Sequence, residues 1–389
     1  MRGWEEYKLS ELGTLQRGRS RHRPRYAFHL YGGAYPFVQT GDIRKAKKYI
    51  DTFSQSYSEA GLEQSKLWPA KTLCITIAAN IAELAILSFP ACFPDSVIGF
   101  IPDESKSNLD FIYYLLIHFQ RELKYLGEGS VQDNINLGTF EDISFIVPPL
   151  PEQKAIAAVL SSLDDKIDLL HRQNATLEGM AEALFRQWFV VEAKEEWEER
   201  TVGDVAHINM TTRTKNYPFS IIQYLDTGSL TEGMIDSLQI CTTSEAPSRA
   251  QRIVKHNDIL LSTVRPNQKH YGMIKNPDDN LIVSTGFCVI SCHSIDPHFL
   301  YLFLTTTDMT EYLHSVAEGS TSTYPSLKPS DIAGLDFKMP PKEKLDEFSS
   351  YTTAAWEQIH ANQTQIRTLE KLRDTLLPKL MSGEVRVEV

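Results

Sequence analysis

Along most of this chain apolar residues come in short β-branched and aromatic runs cut by turn residues, but twice they settle into a longer rhythm. The runs LCITIA (73–78), ILLSTV (259–264) and LIVSTGFCVIS (281–291) predict strands, whereas NLDFIYYLLIHFQRELKYL and DPHFLYLFLTTTDMTEYLHSV predict helices. These elements predict an α+β fold with mostly antiparallel sheets. The longer rhythm begins after a proline cluster. In PPLPEQKAIAAVLSSLDDKIDLLHRQNATLE, from residue 148, Ile156, Leu160, Leu163, Ile167, Leu170, Asn174, Leu177, Ala181 and Leu184 follow one another at alternating steps of four and three. That spacing is a heptad seam, one narrow stripe on a helix of ~55 Å. A second stripe, after Pro340-Pro341, runs through Phe348, Thr352, Ala355, Ile359, Asn362, Ile366, Leu369, Arg373 and Leu376. Stripes so narrow need a partner helix, and each has one in the other. The competing reading, surface helices packed on their own domains, calls for a wider apolar face.

The two long helices belong to a repeat of about 190 residues. WEEYKLSELGTL from Trp4 resembles WEERTVGDVAHI from Trp197, YPFVQTGDI resembles IIQYLDTGSL, and LKYLGEGSVQDNINLGTFEDI (123–143) answers YLHSVAEGSTSTYPSLKPSDI (312–332). The expected organisation is therefore a first domain over 1–147, a long central helix over 148–190, a second domain over 191–339, a long C-terminal helix over 340–380 and a tail over 381–389. An antiparallel pair of these helices can be registered on its two seam asparagines. With Asn174 opposite Asn362, Leu170 falls beside Ile366, Ile167 beside Leu369, Leu177 beside Ile359 and Ala181 beside Ala355, all apolar.

Chemistry enters mainly through charge. The 389-residue chain is 42% apolar and carries a net charge of −11, a weak recommendation for a polyanion binder. The distribution changes that picture, because 1–147 holds 16 basic against 17 acidic residues while 196–341 holds 11 against 17. From Leu12 to Gly41 there is no acidic residue, yet Arg17, Arg19, Arg21, Arg23 and Arg25 alternate through it among Tyr26, Phe28 and other aromatics. Cations interleaved with aromatics suit phosphate contact and base reading. The second half repeats this more weakly, with Arg213 and Lys215 in an acid-free 205–225 and Arg265, Lys269 and Lys275 in an acid-free 259–277. Gln39, Thr40 and Arg44 around the first Thr-Gly pair, and Tyr224 and Thr227 around the second, are further candidates for contact with DNA. For any single island a solvated loop explains the charges equally well.

No catalytic motif stands beside these islands. The sequence has no phosphate-cradling G-x-x-x-x-G-K-[ST], no G-x-G-x-x-G, no H-E-x-x-H and no G-x-S-x-G. PDESK (102–106) imitates part of a nuclease carboxylate motif but is too compact to spread its acids around a metal, and reads as a solvated turn. Cys288, Cys292, His293 and His298 lie close together without a C-x-x-C pair, so no metal is expected. Five cysteines without framework spacing fit a reducing cytoplasm, no window is long and apolar enough for a membrane span, and MRGWEEYKLSEL lacks the order of a signal peptide.

Two divergent domains, each followed by a proline-rich start and a long helix, with Val147-Pro148-Pro149-Leu150-Pro151-Glu152-Gln153 and a closing LLPKLMSGE (376–384), resemble the specificity subunit of a Type I restriction-modification system. The second repeat departs from the pattern, with Lys342-Glu343-Lys344 where Glu-Gln is expected. The resemblance implies two target recognition domains, each reading one half of a split double-stranded DNA sequence, and an antiparallel coiled coil that sets the spacer and docks two methyltransferase subunits. It implies a non-catalytic chain, with S-adenosylmethionine on those partners and ATP-dependent restriction subunits elsewhere in the complex. Two alternatives stay open: a coiled-coil scaffold that binds only protein, and a self-sufficient DNA-modifying enzyme.

Overall fold

A computed structural model describes residues 3–22, 24, 26–78, 80–128, 135–319 and 326–388, with the side chains of 126–128 excepted. The chain divides into two compact units, 1–169 with 365–389, and 170–364. The division falls inside the two long helices, Leu150–Arg186 and Lys342–Met381. Each unit therefore holds one globular part and a portion of both helices.

In unit 1 the strand Glu5–Lys8 pairs antiparallel with Ser144–Val147, which delivers the chain to the central helix. A five-stranded sheet follows the order Gly13–Arg17, Val97–Pro102, Leu73–Thr76, Leu84–Leu87, Tyr49–Ile50. Only its last pairing is parallel. Leu73–Thr76 and Leu84–Leu87 are buried throughout, as continuous apolar runs covered on both faces must be. The helix Leu109–His118 is capped by Asn108, whose side chain accepts from Phe111 N, and contributes Phe111, Ile112 and Leu116 to the core. Ile156, Leu160, Leu380 and Met381 join that core from the long helices.

Unit 2 repeats the plan. Glu198–Thr201 pairs with Asp336–Met339, and a four-stranded antiparallel sheet takes the order Ala206–Ile208, Phe287–Cys292, Ile259–Ser262, Tyr271–Met273, strand for strand the counterpart of the first four in unit 1. The run LIVSTGFCVIS does not form one strand: Leu281–Ser284 joins a second sheet, in parallel with Ile221–Leu225, and Phe287–Cys292 the first. The break needs Gly286, where a Cβ would stand 2.9 Å from Thr227 Cγ2.

Within each unit the two long helices run antiparallel. In unit 2 Asn362 Nδ2 donates to Asn174 Oδ1 at 2.8 Å, with the two residues 2% and 8% exposed, and further along Phe185 meets Phe348. Leu177, Ala181, Ala355 and Ile359 pack in one apolar cluster around this contact. In unit 1 Arg373, which interrupts its seam, donates through Nη1 to Asp164 Oδ1 at 2.9 Å, and Tyr114 Oη donates to the other oxygen of that carboxylate at 2.6 Å. The central helix ends in a π-helical turn, Gln187–Val191.

Among the described residues no helix is long and apolar enough to cross a membrane. Burial pushes the Cys288 and Cys292 thiols up to about 12. His298 is not their neighbour on the strand but lies in the helix Pro297–Thr305, buried beside Asp296.

Candidate nucleic-acid interface

The arginine island of unit 1 leaves the sheet at Arg17. Gly18 N donates to Val97 O and Arg19 N to Phe93 O, which carries the segment past the end of the neighbouring strand. Gly18 is required there, since a Cβ would stand 2.2 Å from Pro94 O. Beyond it Gln64 Oε1 accepts from both Arg21 N and His22 N, and Ser65 Oγ donates to Arg19 O. The loop is thus held by its backbone, leaving Arg21 exposed. Arg17 Nε donates to Asp95 O at 2.9 Å, which fixes the stem and leaves the charge uncompensated by any carboxylate in that bond. Arg19 is half-buried. Arg23 and Arg25 lie outside the described residues.

The Thr-Gly pair follows on a short helix, Thr40–Lys45, with Gln39 as its N-cap and Asp42 accepting back from Gln39 N at 2.9 Å. Gln39 Nε2 donates to Gln55 Oε1 at 2.8 Å. Arg44 reaches across to the loop that follows Leu73–Thr76, donating through Nη1 to Asn80 Oδ1 at 3.3 Å.

Unit 2 builds the same meeting of loops from different residues. The turn Thr227–Ser229 is capped by Asp226, whose side chain accepts from Ser229 N. Thr227 packs against Gly286, whose carbonyl accepts from Thr263 N and Thr263 Oγ1, both at 2.9 Å. Thr263 opens the loop after Ile259–Ser262, the counterpart of the Asn80 loop. In unit 1 the helix begun by the Thr-Gly pair thus reaches the loop after this strand directly, while in unit 2 the Thr-Gly turn and the corresponding loop meet at Gly286, although they are remote in sequence.

The unit 2 loop carries Arg265 and Lys269 in the left-handed region, φ 49° and 56°, flanking Pro266–Gln268. Non-glycine residues are held so only where their surroundings impose it, and such positions gather at functional sites. Both side chains are exposed, and Lys269 Nζ is paired with Glu232 Oε1 at 2.7 Å. Arg213 lies against the strand Ala250–Ile253, its N donating to Gln251 O and its Nη1 to Thr243 O. Lys215 is exposed.

Two sequence candidates are corrected. Tyr224 is 4% exposed in a core with Ile222, Ala250 and Ile282: on its strand it points to the buried face, so its ring is not offered to DNA. Lys275 is half-buried, within 2.9 Å of His298 Nε2 and bonded to Asn257, and burial draws its ammonium down to about 8. Sequence reading missed Arg252, whose Nη1 donates to Thr212 Oγ1 beside Arg213. Its sequence signal is the acid-free 246–257, where it stands with Arg249 and Lys255, and the sheet brings it to Arg213.

The chain matches the family model described as Type I restriction modification DNA specificity domain twice, over residues 1–179 and 194–374. It is 26% identical over 413 residues to the Type I restriction enzyme MjaIX specificity subunit of Methanocaldococcus jannaschii, covering 99% of this chain and 94% of that protein. The HindI specificity subunit of Haemophilus influenzae is 28% identical over 183 residues, 46% of this chain and 40% of that protein. In fold the chain is similar to the crystal structure of a Type-I restriction-modification system S subunit from M. genitalium, with a TM-score of 0.65 at 15% identity, covering 99% of this chain and 96% of that one.

Proposed function

This chain belongs to the Type I restriction-modification DNA specificity family, and on that premise we propose that each of its units reads one half of a bipartite double-stranded DNA target. One observation carries the proposal: the same order of four strands occurs twice, and each time the Thr-Gly turn lies near a loop after the same strand, through Arg44 and Asn80 in unit 1 and through Gly286 in unit 2. In unit 1 Arg17, Arg19 and Arg21 lie on a backbone-anchored loop, and in unit 2 Arg265 projects from a constrained one. Such cations supply phosphate contacts that position the protein, and the neighbouring polar side chains read base edges.

As a specificity subunit the chain is the non-catalytic component of its system. We assign the long helices the docking of two methyltransferase subunits and the setting of the spacer between half-sites. Those partners bring S-adenosylmethionine, separate ATP-dependent subunits bring restriction, and the complex works on DNA in the cytoplasm. The decisive experiment exchanges residues 1–147 for the corresponding part of a relative and sequences the modified genome. One half of the modified motif should change and the other persist; a change in both halves, or in neither, overturns independent reading.

A further inference from the structure

The described surface of unit 1 has one feature that phosphate contact does not explain. Phe28 is 96% exposed and Tyr26 84%, the highest values among the exposed large apolar side chains. Single exposed apolar residues are ordinary on protein surfaces, but Phe28 is held out by its backbone. Phe28 begins a 3-10 turn, Phe28–Leu30, in which Leu30 N donates to Ala27 O. Leu30 is 2% exposed in a small core with Phe37, Tyr57 and Cys92, against which Ala27 also packs. Ser58 clamps the turn from below, its N donating to Leu30 O and its Oγ to His29 O at 2.6 Å. Ala27 and Leu30 thus point inward, and the ring between them stands in water without a route to collapse.

The surroundings say what covers it. The ring sits in the acid-free segment 12–41, next to His29 and beyond Arg17, Arg19 and Arg21 in the same loop. A rigid aromatic presented among cations matches a polyanion whose interior is apolar and stacked, which is duplex DNA. In unit 2 the aromatics ahead of the Thr-Gly turn are half-buried: Tyr217 packs against the Ile222 cluster with its hydroxyl donating to Asp279 O, and Phe219 packs on Tyr217.

We propose that Phe28, with Tyr26 beside it, is a wedge that enters a base step of the half-site read by unit 1. This rests on the reading of unit 1 as a DNA-recognition unit. Apolar side chains inserted at a step unstack it and bend the duplex, and steps differ in how readily they yield, pyrimidine–purine steps most. The wedge therefore selects sequence at a position where no hydrogen bond is made, and it does so in one half-site only.

The test uses the complex purified through the full chain from its host, and a duplex bearing the motif found in the modified genome, with 2-aminopurine placed at successive positions. With the native chain, fluorescence should rise at one step of the unit 1 half-site. Phe28→Ala should abolish that rise and weaken binding about tenfold, with the salt dependence unchanged because no phosphate contact is lost. Phe28→Trp should keep both. The side chain is exposed, so these variants fold. A rise that survives Phe28→Ala, or unchanged affinity, overturns the wedge while leaving DNA reading intact. Loss of subunit assembly with unchanged unstacking overturns it in favour of a protein contact. Binding indifferent to the sequence of the unit 1 half-site overturns the underlying reading, and the wedge with it.

Discussion

The start of each long helix is pinned in its own unit by an ion pair beside a tryptophan, and the two pairs have opposite polarity. In unit 1 Glu152 is the acid: Trp4 Nε1 donates to it at 3.2 Å, and Arg386 donates through Nε and Nη2 at 2.8 and 2.6 Å. In unit 2 the matching position, 192 residues on, is Lys344, whose Nζ lies 5.9 Å from the Trp197 ring centroid and 2.7 Å from Glu192. The apparent departure of Lys342-Glu343-Lys344 from the Glu-Gln pattern is thus a reversal with both partners exchanged. Gln153 has no such replacement. It is 1% exposed, donates to Lys106 O and Pro148 O and accepts from Asn108 N, while Leu345 buries an apolar chain at its place. What duplication preserved is a neutral, aromatic-backed clasp, and either sign satisfies that.

The two clasps are not equal in strength. The Glu152 side chain is 7% exposed beside an Arg386 that is 46% exposed, whereas Lys344 and Glu192 are 32% and 45% exposed. The largest effect is expected from Glu152→Lys, which sets a cation against Arg386 and removes the acceptor of a buried indole. It should cost about 3 kcal/mol or more, read as a fall in the thermal unfolding of the chain, and adding Arg386→Glu should recover part of it. Equal costs for Glu152→Lys and Lys344→Glu would remove the asymmetry.

Next comes the seam, where unit 1 uses the pair Asp164–Arg373 and unit 2 the pair Asn174–Asn362. Asn362→Leu strands the Asn174 amide in a buried position and should cost about 1–3 kcal/mol, whereas the double change to leucine should be close to neutral. A double-mutant cycle without coupling would show that the amides do not act together.

A smaller effect separates the units by pH. In unit 2 burial, with Glu182 and Glu232 nearby, pushes the Glu178 carboxyl up to about 7. A raised carboxylate costs the folded state stability as pH climbs from the ordinary glutamate value through 7. Glu178→Gln should therefore raise the unfolding temperature at pH 8, lose that advantage progressively below 7, and have none near 4. A constant gain at all three would sink the assignment.

The smallest change is expected from Glu192→Ala. The hydrogen bond from Lys344, and then one from Gln187, hold the Glu192 carboxyl below the usual range. Such a group stabilises above the ordinary carboxylate value and stops doing so as pH falls through its lowered one. The variant should match the native chain within error at neutral pH, as exposed pairs do, with any difference vanishing in acid.

The repeat, the long helices and their seams were legible because each is a periodic property of local sequence. The asparagine pair was legible for a related reason: each seam carries a single asparagine, and setting the two opposite one another keeps their nearest seam neighbours apolar. The arginine island was visible as composition, but not which of its members is held by a backbone carbonyl. Nor did composition separate Phe28 in water from Tyr217 half-buried against a small core.

Sequence by itself thus determined the family, the doubled α+β plan and the pairing of the helices, since periodicity and self-similarity need no knowledge of what touches what. Tertiary structure alone decided that Tyr224 is buried, that Lys269 is neutralised by Glu232, that Arg252 joins Arg213, and that Glu152 and Lys344 play one role with opposite signs. Charge pairing and exposure depend on distances between residues tens to hundreds of positions apart, and only packing sets those distances.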